Sequence, residues 1–262
     1  MKIALISLDQ IWEDKKTNLQ RVNELTRKSA SMGAELVIFP EMTLTGYTMN
    51  TSLSSEDPQD SFALKAFSET AKKNTINVIA GLVLKKQNEK PLNTMTAFSS
   101  KGKELARYYK IHPFSFAAED KYFSSGKILA KAEIGDLNFG FSICYDLRFP
   151  EMFSALSRDC EVLINIANWP KKRSAHWKTL LRARAIENQC FMIGVNRTGT
   201  DGNQIEYERS SYIFDANGDF CKQAESEGEI DVYNIQREQI FDFRKKFSTR
   251  QDRKQELYKN LT

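Results

Sequence analysis

The stretch GFSICYDLRFPE, residues 140–151, carries an apolar run up to a cysteine and then turns polar at once. The run LNFGFSIC, residues 137–144, is typical of a buried strand. Proline is common at the first position of a helix, so Pro150 predicts a helix over residues 150–159. Cys144 therefore lies at a predicted elbow between a strand and a helix, where a cysteine is either packed as a small apolar residue or presented as a nucleophile.

Strand and helix patterns alternate along the rest of the chain. Further strands are predicted at residues 2–8, 35–40, 78–84, 161–168 and 191–197. Helices are predicted around Leu19, Val22 and Leu25, and at residues 60–73 and 174–189. Because no linker or low-complexity segment interrupts this alternation, we expect an α/β fold in one domain, residues 1–262.

Two hairpins and one helix cap are predicted in more detail. TMTAFSSKGKELARYY, residues 94–109, predicts a hairpin that turns at Gly102. Residues 211–220 and 228–235 predict a hairpin that closes the fold. Ser174 is the predicted N-cap of the helix at 174–189, with Trp177, Leu181 and Ala185 on its buried face.

Composition and charge exclude several classes of protein. The 262 residues include 38 Lys and Arg against 34 Asp and Glu, a net charge of +4, which argues against a nucleic-acid partner. No apolar run approaches the ~20 residues that span a membrane, so no membrane partner is expected. MKIALISLDQ at the start is typical of a first strand and not of a secretory signal, and we expect a cytoplasmic protein.

The cysteines and histidines are not spaced as metal ligands. There are four cysteines, no CxxC pair and only two histidines, so the sequence predicts no metal site. In a reducing compartment the cysteines are expected to be free thiols. Cys160, Cys190 and Cys221 are predicted to be small buried apolar residues.

Three residues with useful chemistry follow the ends of predicted strands. Glu41 follows ELVIFP, Lys110 follows ELARYY, and Cys144 closes LNFGFSI. Ligands of α/β sheets collect at the carboxyl ends of strands, which makes the three residues candidates for one site. Each also has an ordinary explanation: a solvated carboxylate, a surface lysine and a packed thiol.

The sequence around these residues resembles the carbon–nitrogen hydrolase (nitrilase) superfamily, and most of all its ω-amidase branch. The stretches that carry the resemblance are FPEMTLTGY, YYKIHPF, CYDLRFPE, NWP, HWKTLLRARAIENQ and VNRTGTDGN. The resemblance implies a single-domain α-β-β-α sandwich, in which two mixed sheets pack face to face between helices. It also implies a homodimer or a higher even homo-oligomer, for which Phe149, Phe153 and Trp177 are candidate contact residues.

By the same resemblance, Glu41, Lys110 and Cys144 form a catalytic triad that requires no metal or organic cofactor. Glu41 is the expected general base, since histidine is nearly absent from the chain. Lys110 and the backbone N–H of Tyr145 are the expected donors to the oxyanion. A papain-like hydrolase that uses His112 is the alternative arrangement.

Four further residues are candidates for the site. Glu119 matches a second carboxylate of the family, and its neighbour Asp120 is the rival; a solvated loop acid is the ordinary explanation. Arg173 precedes a predicted helix, where a guanidinium and a helix N-terminus both favour a carboxylate. Trp169 is expected to form an apolar wall of the pocket, and Tyr47 is a second candidate for lining it.

The leading hypothesis is an amidase that acts on α-ketoglutaramate or α-ketosuccinamate. Its partner is then a small-molecule amide. An N-carbamoyl-amino-acid amidohydrolase, or a broad aliphatic amidase or nitrilase, is an alternative that uses the same triad. A binding member of the fold that has lost catalysis is a second alternative.

Overall fold

The structure is a computed structural model that describes residues 1–258. Its strands are β1 (Lys2–Ile6), β2 (Leu36–Ile38), β3 (Ser55–Glu56), β4 (Asn77–Lys86), β5 (Glu89–Phe98), β6 (Glu104–Tyr109), β7 (Lys131–Ile134), β8 (Leu137–Ile143), β9 (Val162–Ala167), β10 (Phe191–Asn196), β11 (Gly199–Thr200), β12 (Glu206–Tyr207), β13 (Tyr212–Phe214), β14 (Gln223–Glu227) and β15 (Ile230–Asn234). Its α-helices are α1 (Lys15–Ser31), α2 (Thr51–Ser54), α3 (Phe62–Asn74), α4 (Glu119–Tyr122), α5 (Pro150–Leu156), α6 (Ser174–Asn188), α7 (Arg237–Lys246) and α8 (Gln255–Tyr258). Short 3-10 helices cover Ser115–Ala117, Cys144–Arg148 and Lys171–Arg173.

Two mixed sheets form the centre of the fold. Within residues 1–258, one sheet has eight strands in the order β14-β15-β1-β2-β4-β5-β6, with β3 paired to β4. The other has five strands in the order β13-β10-β9-β8-β7, and β11 and β12 form a separate ribbon. Parallel pairs such as β2 with β4 and β8 with β9 occur beside antiparallel pairs such as β4 with β5.

The alternation of side chains along β1 shows how the layers pack. Ile3 and Leu5 lie in one hydrophobic cluster together with Phe141 and Ile164 of the second sheet, so the two sheets share a core. Ala4 and the other side chains of the opposite face lie in a second cluster, against α1 and α3. The layers are therefore helices, sheet, sheet and helices, as predicted.

Helix α6 covers the outer face of the second sheet. Trp177, Leu181 and Ala185 are fully buried, which confirms the predicted face. A Cβ atom at Gly194 of β10 would lie 2.4 Å from a methyl carbon of Leu181, so glycine permits this close packing. The predicted cap is wrong: Ser174 is the first helical residue, and the N-cap position belongs to Arg173.

Two further predictions need correction. The predicted helix at 150–159 ends at Leu156, because the chain must turn there to reach β9.

The predicted closing hairpin is wrong, since its two arms belong to different sheets. β13 pairs with β10, whereas β15 pairs with β14 and β1. The strand patterns were recognisable, but the partner of each strand is decided by long-range packing.

The three cysteines other than Cys144 differ in how far they are buried. Cys160 and Cys190 are buried as predicted, while Cys221 is only half-buried.

Two of the three aromatic residues expected at a contact between copies are not accessible. Trp177 and Phe153 have no exposed surface, so they cannot contact a second copy of the chain. The expected even-numbered assembly stays a prediction, and Phe149, which is half-buried, is the remaining candidate contact of the three.

Two structural tests concern membranes and metals. Among residues 1–258, no helix combines the length and apolar character that crossing a membrane requires. In the same part of the chain, no three His, Cys, Asp or Glu side chains are grouped so that they could hold a metal ion.

Candidate active site

Cys144 lies directly after β8, at the start of the 3-10 helix that precedes α5. Its φ is 47°, in the left-handed region, where a non-glycine residue costs on the order of 1–3 kcal/mol. Surrounding hydrogen bonds hold this conformation. The N–H of Ile143 donates to Asp146 Oδ2 at 2.9 Å, and the guanidinium of Arg184 donates to the carbonyl of Leu147 at 2.8 and 3.1 Å. The elbow presents a cysteine that is only 8% exposed.

The loop that carries Glu41 is fixed against β4. A Cβ atom at Gly81 would lie 2.5 Å from the backbone nitrogen of Met42, so glycine is needed for this approach. The N–H of Thr43 donates to the carbonyl of Gly81 at 2.9 Å, and the N–H of Gly81 donates to Thr43 Oγ1 at 3.0 Å. Glu41 is thereby held in a fully buried position.

The backbone of Lys110 is fixed on both sides. Its N–H donates to the carbonyl of Asn93 at 2.9 Å, and its carbonyl accepts from the N–H of Gly126 at 2.8 Å. A Cβ atom at Gly126 would lie 2.1 Å from the carbonyl oxygen of Tyr109, which excludes any larger residue there. The lysine side chain extends from this point into the interior and is 1% exposed.

The Lys110 ammonium joins two buried carboxylates. Nζ lies 3.0 Å from Glu41 Oε1, and 3.1 and 2.8 Å from the two carboxylate oxygens of Glu119. Asn93 Nδ2 bridges the same carboxylates, donating to Glu41 at 2.7 Å and to Glu119 at 3.0 Å. Tyr47 Oη donates to Glu119 Oε2 at 3.0 Å. Every oxygen of Glu119 is therefore bound, and Asp120 is exposed outside this network.

The second oxygen of Glu41 is bound from the other sheet. The backbone N–H of Asn168, just beyond β9, donates to Glu41 Oε2 at 2.9 Å, and its side-chain Nδ2 donates to the Glu41 carbonyl at 2.7 Å. Sequence reasoning assigned no role to Asn168 or Asn93. The signal that pointed to Asn168 was its place in NWP directly after a strand, whereas Asn93 stands in a strand pattern with no distinguishing neighbour.

Burial and charge shift the pKa of several groups in opposite directions. Burial opposes the charge of Lys110, but Glu119 and Glu41 outweigh it and raise its pKa well above the ordinary value. Burial also opposes the charge of Glu119, yet Lys110 and its hydrogen bonds lower the pKa of that carboxyl. Burial, followed by the charge of Glu119, raises the pKa of Tyr47 well above its usual range. The lysine and Glu119 are therefore a charged pair at neutral pH.

The thiol of Cys144 is neutral at rest. Burial raises its pKa well above the ordinary value, and the charge of Glu41 raises it further. Lys110 and the backbone N–H of Asn168 act in the opposite direction but do not prevail. A reaction at this sulfur therefore requires a group that accepts its proton.

A cavity of about 770 Å³ opens over Cys144. Its walls include Tyr145 and all three residues that the sequence nominated for substrate binding: Tyr47, Trp169 and Arg173. His112 is not among the lining residues, because its ring binds Asp146 and stacks on Phe149. This arrangement gives no support to a papain-like pair of Cys144 and His112.

The rim of this cavity carries positive charge that sequence reasoning assigned only to Arg173. The guanidinium of Arg148 lies 5.0 Å from the centre of the Trp169 ring, and that of Arg173 lies 5.4 Å from the ring of Phe114. Within residues 1–258, neither arginine forms an ion pair with a carboxylate; the neighbouring Lys171 does, with Glu206 at 3.1 Å. The two stacked arginines define what we call the arginine rim, Arg148 and Arg173.

Comparison with known proteins agrees with this fold. A hydrolase of the agr operon of Staphylococcus aureus is 28% identical over 262 residues, covering 99% of this chain and 100% of the relative. A 2-oxoglutaramate amidase of Bacillus subtilis is 30% identical over 257 residues, covering 98% of each. A CN-hydrolase superfamily protein of Xanthomonas campestris, solved with an arsenic adduct in its active site, superposes with a TM-score of 0.89 at 28% identity over 97% of both chains.

The family model described as carbon-nitrogen hydrolase matches residues 2–245, which is nearly the whole chain. The sandwich of two mixed sheets is thus the fold of a recognised enzyme family. The chain belongs to the carbon–nitrogen hydrolase family and is a hydrolase that acts on amides.

Proposed function

We propose that this amide hydrolase removes the terminal amide of a small ω-amidodicarboxylate, such as α-ketoglutaramate or α-ketosuccinamate. The products are the dicarboxylate and ammonia, and the acyl group passes through a thioester on Cys144. The observation that carries this proposal is the arginine rim, two guanidinium groups that face the cavity of Cys144 without a carboxylate partner among the described residues. The resemblance to a 2-oxoglutaramate amidase supports the same substrate class.

The arginine rim suits a carboxylate at the far end of the substrate. A guanidinium binds a carboxylate through two parallel N–H donors, and each charge-assisted hydrogen bond contributes roughly 1.5–3 kcal/mol. Because Arg148 and Arg173 stack on Trp169 and Phe114, their orientation is restricted before the substrate arrives. Trp169, which is 3% exposed, supplies the apolar wall between the rim and the sulfur.

The first half of the reaction forms the thioester. The Cys144 sulfur attacks the amide carbon while Glu41 accepts the thiol proton. A neutral resting thiol needs a base to accept its proton, because little thiolate is present beforehand. Glu41 then gives the proton to the amide nitrogen, the C–N bond breaks, and ammonia leaves.

The carbonyl oxygen becomes negatively charged during attack. The Lys110 ammonium and the backbone N–H of Tyr145 are the donors that we assign to this oxyanion. Losing one such donor typically costs roughly 3–4 kcal/mol of transition-state stabilisation. Glu119 keeps Lys110 charged and oriented, since it holds the ammonium at 2.8 Å while Asn93 and Tyr47 hold Glu119.

The second half of the reaction hydrolyses the thioester. Glu41, once more a carboxylate, removes a proton from water, and the resulting hydroxide attacks the thioester carbon. The Cys144 sulfur leaves and recovers its proton from Glu41. One carboxylate serves both halves because proton acceptance and donation alternate.

The test is ammonia release from a panel of matched substrates. The panel contains α-ketoglutaramate, an uncharged amide of equal length, an N-carbamoyl amino acid and a nitrile. We expect kcat/KM for α-ketoglutaramate to exceed that of the uncharged amide by at least ~10-fold, in line with one or two charge-assisted hydrogen bonds. Equal rates for those two amides would contradict the proposed substrate class. A higher value for the N-carbamoyl amino acid would favour that alternative within the same family.

A further inference from the structure

Asp146, two residues after Cys144, is fully buried and lies outside the catalytic network described above. Its Oδ1 accepts from the backbone N–H of His112 at 3.0 Å and contacts His112 Nδ1 at 2.8 Å. Its Oδ2 accepts from the hydroxyl of Tyr108 at 2.8 Å and from the N–H of Ile143 at 2.9 Å. A single carboxylate therefore makes four hydrogen bonds in the interior of the protein.

These partners come from two chain segments: the elbow, residues 143–149, and residues 108–114, which begin at the end of β6 and which we call the lysine loop. Ile143 directly precedes the cysteine of the elbow, whereas Tyr108 and His112 stand on either side of Lys110. The elbow and the lysine loop come from different sheets, since β8 lies in the five-stranded sheet and β6 in the eight-stranded one. Asp146 thus ties together the two loops that carry Cys144 and Lys110.

Aromatic contacts reinforce the same connection. The ring of His112 stacks on Phe149, with ring centres 3.7 Å apart and planes at 12°. Phe114, in the lysine loop, packs against Tyr145 of the elbow with ring centres 4.7 Å apart. The Asp146 carboxylate adds charge-assisted hydrogen bonds to these aromatic contacts between the two loops.

We propose that Asp146 is a positioning residue that fixes the distance between the two oxyanion donors, the Lys110 ammonium and the N–H of Tyr145. One donor comes from each of the loops that Asp146 joins, and a displacement of about 1 Å in such a constellation can cost ~100-fold in rate. This inference rests on the oxyanion assignment made under the proposed function. It does not depend on the carboxylate at the far end of the substrate.

The test is Asp146→Asn, which keeps the volume but replaces an acceptor oxygen with an NH2 group. Whichever way the new amide is oriented, its NH2 group lies where an oxygen of Asp146 accepted hydrogen bonds. Those donors then face another donor and lose their acceptor. We expect kcat for the amide that wild type hydrolyses fastest to fall roughly 10- to 100-fold, with KM changed less than ~3-fold. Alkylation of Cys144 by iodoacetamide, followed by mass spectrometry of its peptide, is expected to stay within ~3-fold of wild type, because displacement at an alkyl carbon forms no oxyanion.

Two comparisons separate positioning from simple stability. Asp231→Asn removes another buried carboxylate, paired with Arg209 at the eight-stranded sheet, and is expected to lower the melting temperature without changing kcat. Tyr108→Phe removes one donor to Asp146 and is expected to lower kcat about 3- to 10-fold with KM unchanged. Its matched control is Tyr233→Phe, a buried tyrosine whose hydroxyl contacts Gln223 instead, and this variant is expected to match wild type.

The outcomes decide the inference in either case. It is overturned if Asp146→Asn keeps more than half of wild-type kcat, or if amide turnover and Cys144 alkylation fall in parallel. If Asp146→Asn does not fold, Tyr108→Phe decides, and an unchanged kcat in that variant overturns the inference. The substrate in this test is whichever amide wild type hydrolyses fastest. The test therefore still decides the inference if wild type shows no preference for an acidic amide.

Discussion

Two regions of the active site carry most of its charge, and they differ in how that charge is balanced. In the interior, Lys110, Glu41 and Glu119 have at most 1% of their side chains exposed and bind one another within 3.1 Å. At the cavity mouth, Arg148 and Arg173 are partly exposed, lie against aromatic rings and, among residues 1–258, have no carboxylate partner. Each interior charge therefore has an opposite charge in contact with it, whereas within residues 1–258 neither rim arginine does.

From this difference we assign the chemical steps to the interior and the selection of the substrate to the rim. Buried charges are stable only when they are paired and hydrogen-bonded, and removing one partner of such a pair typically costs about 3–5 kcal/mol. The interior network therefore has a fixed geometry, as the proposed proton transfer at Glu41 requires. A cation at an exposed rim is solvated by water, so the absence of a carboxylate partner costs little free energy. It gains an electrostatic partner when an anion binds. The predictions that follow test the interior first and the rim afterwards.

The largest effect is expected for Cys144→Ala in the interior. Amide turnover is expected to fall by at least ~10⁴-fold, because no other group can form the covalent intermediate. The melting temperature is expected to change little, since removing one sulfur leaves a small cavity beside an open pocket. Cys160→Ala, at a buried thiol away from the site, is the matched control and is expected to keep its activity. Equal turnover by Cys144→Ala and wild type would remove the covalent mechanism.

Glu41→Gln is expected to be the next most severe change. An amide cannot shuttle a proton, so we expect a loss of roughly 10²- to 10⁴-fold in kcat. The control is Glu161→Gln, which alters a buried carboxylate that pairs with Arg237 far from the cavity. Steady-state ammonia release measures both variants. More than a tenth of wild-type kcat in Glu41→Gln would show that another group is the base.

The arginine rim is expected to give a smaller effect, confined to substrate choice. Arg173→Ala and Arg148→Ala are each expected to reduce the preference for α-ketoglutaramate over the uncharged amide about 10-fold, with kcat for the uncharged amide unchanged. Arg182→Ala is the matched control, since Arg182 also stacks on an aromatic ring, Phe214, but lies outside the cavity. If both rim variants keep the wild-type preference, the carboxylate binds elsewhere.

The mildest effect is a shift in the pH at which Cys144 is alkylated. Burial and then Glu41 raise the pKa of this thiol, so Glu41→Gln is expected to lower that pKa. A lower pKa means more thiolate at a given pH, so the alkylation profile moves to lower pH even though amide turnover is lost. Glu119→Gln removes a carboxylate with a weaker influence on the same thiol, and we expect a smaller shift. A profile that moves to higher pH in Glu41→Gln would contradict this electrostatic reading.

Sequence patterns identified the three residues of the proposed triad more readily than the side chains that hydrogen-bond to them. Glu41, Lys110 and Cys144 were recognisable because each follows the end of an apolar strand, and strand ends gather at one place in a sheet fold. Asn93 stands inside β5, where one polar residue on a strand has no distinctive pattern. Arg148 was quoted only as part of a motif, because its path to the cavity depends on how the elbow folds. Such contacts are set by the three-dimensional arrangement of loops.

The fold shows the same limit. The strands were recognised from their apolar runs, and the layered sandwich followed from family resemblance. The predicted pairing of residues 211–220 with 228–235 failed, because β13 has its partner β10 in one sheet and β15 has β1 in the other. Proximity along the chain favours hairpins, but burial of both sheet faces decided these pairings.

The most direct test of the mechanism is to trap the thioester. Wild type is mixed with its best amide substrate, quenched in acid during turnover and digested, and the peptide that contains Cys144 is weighed. We predict that this peptide carries the acyl group of the substrate, a mass equal to substrate minus ammonia, and that Cys144→Ala shows no adduct. Sustained ammonia release by wild type, with no adduct at Cys144 or with an adduct on another residue, would contradict the mechanism.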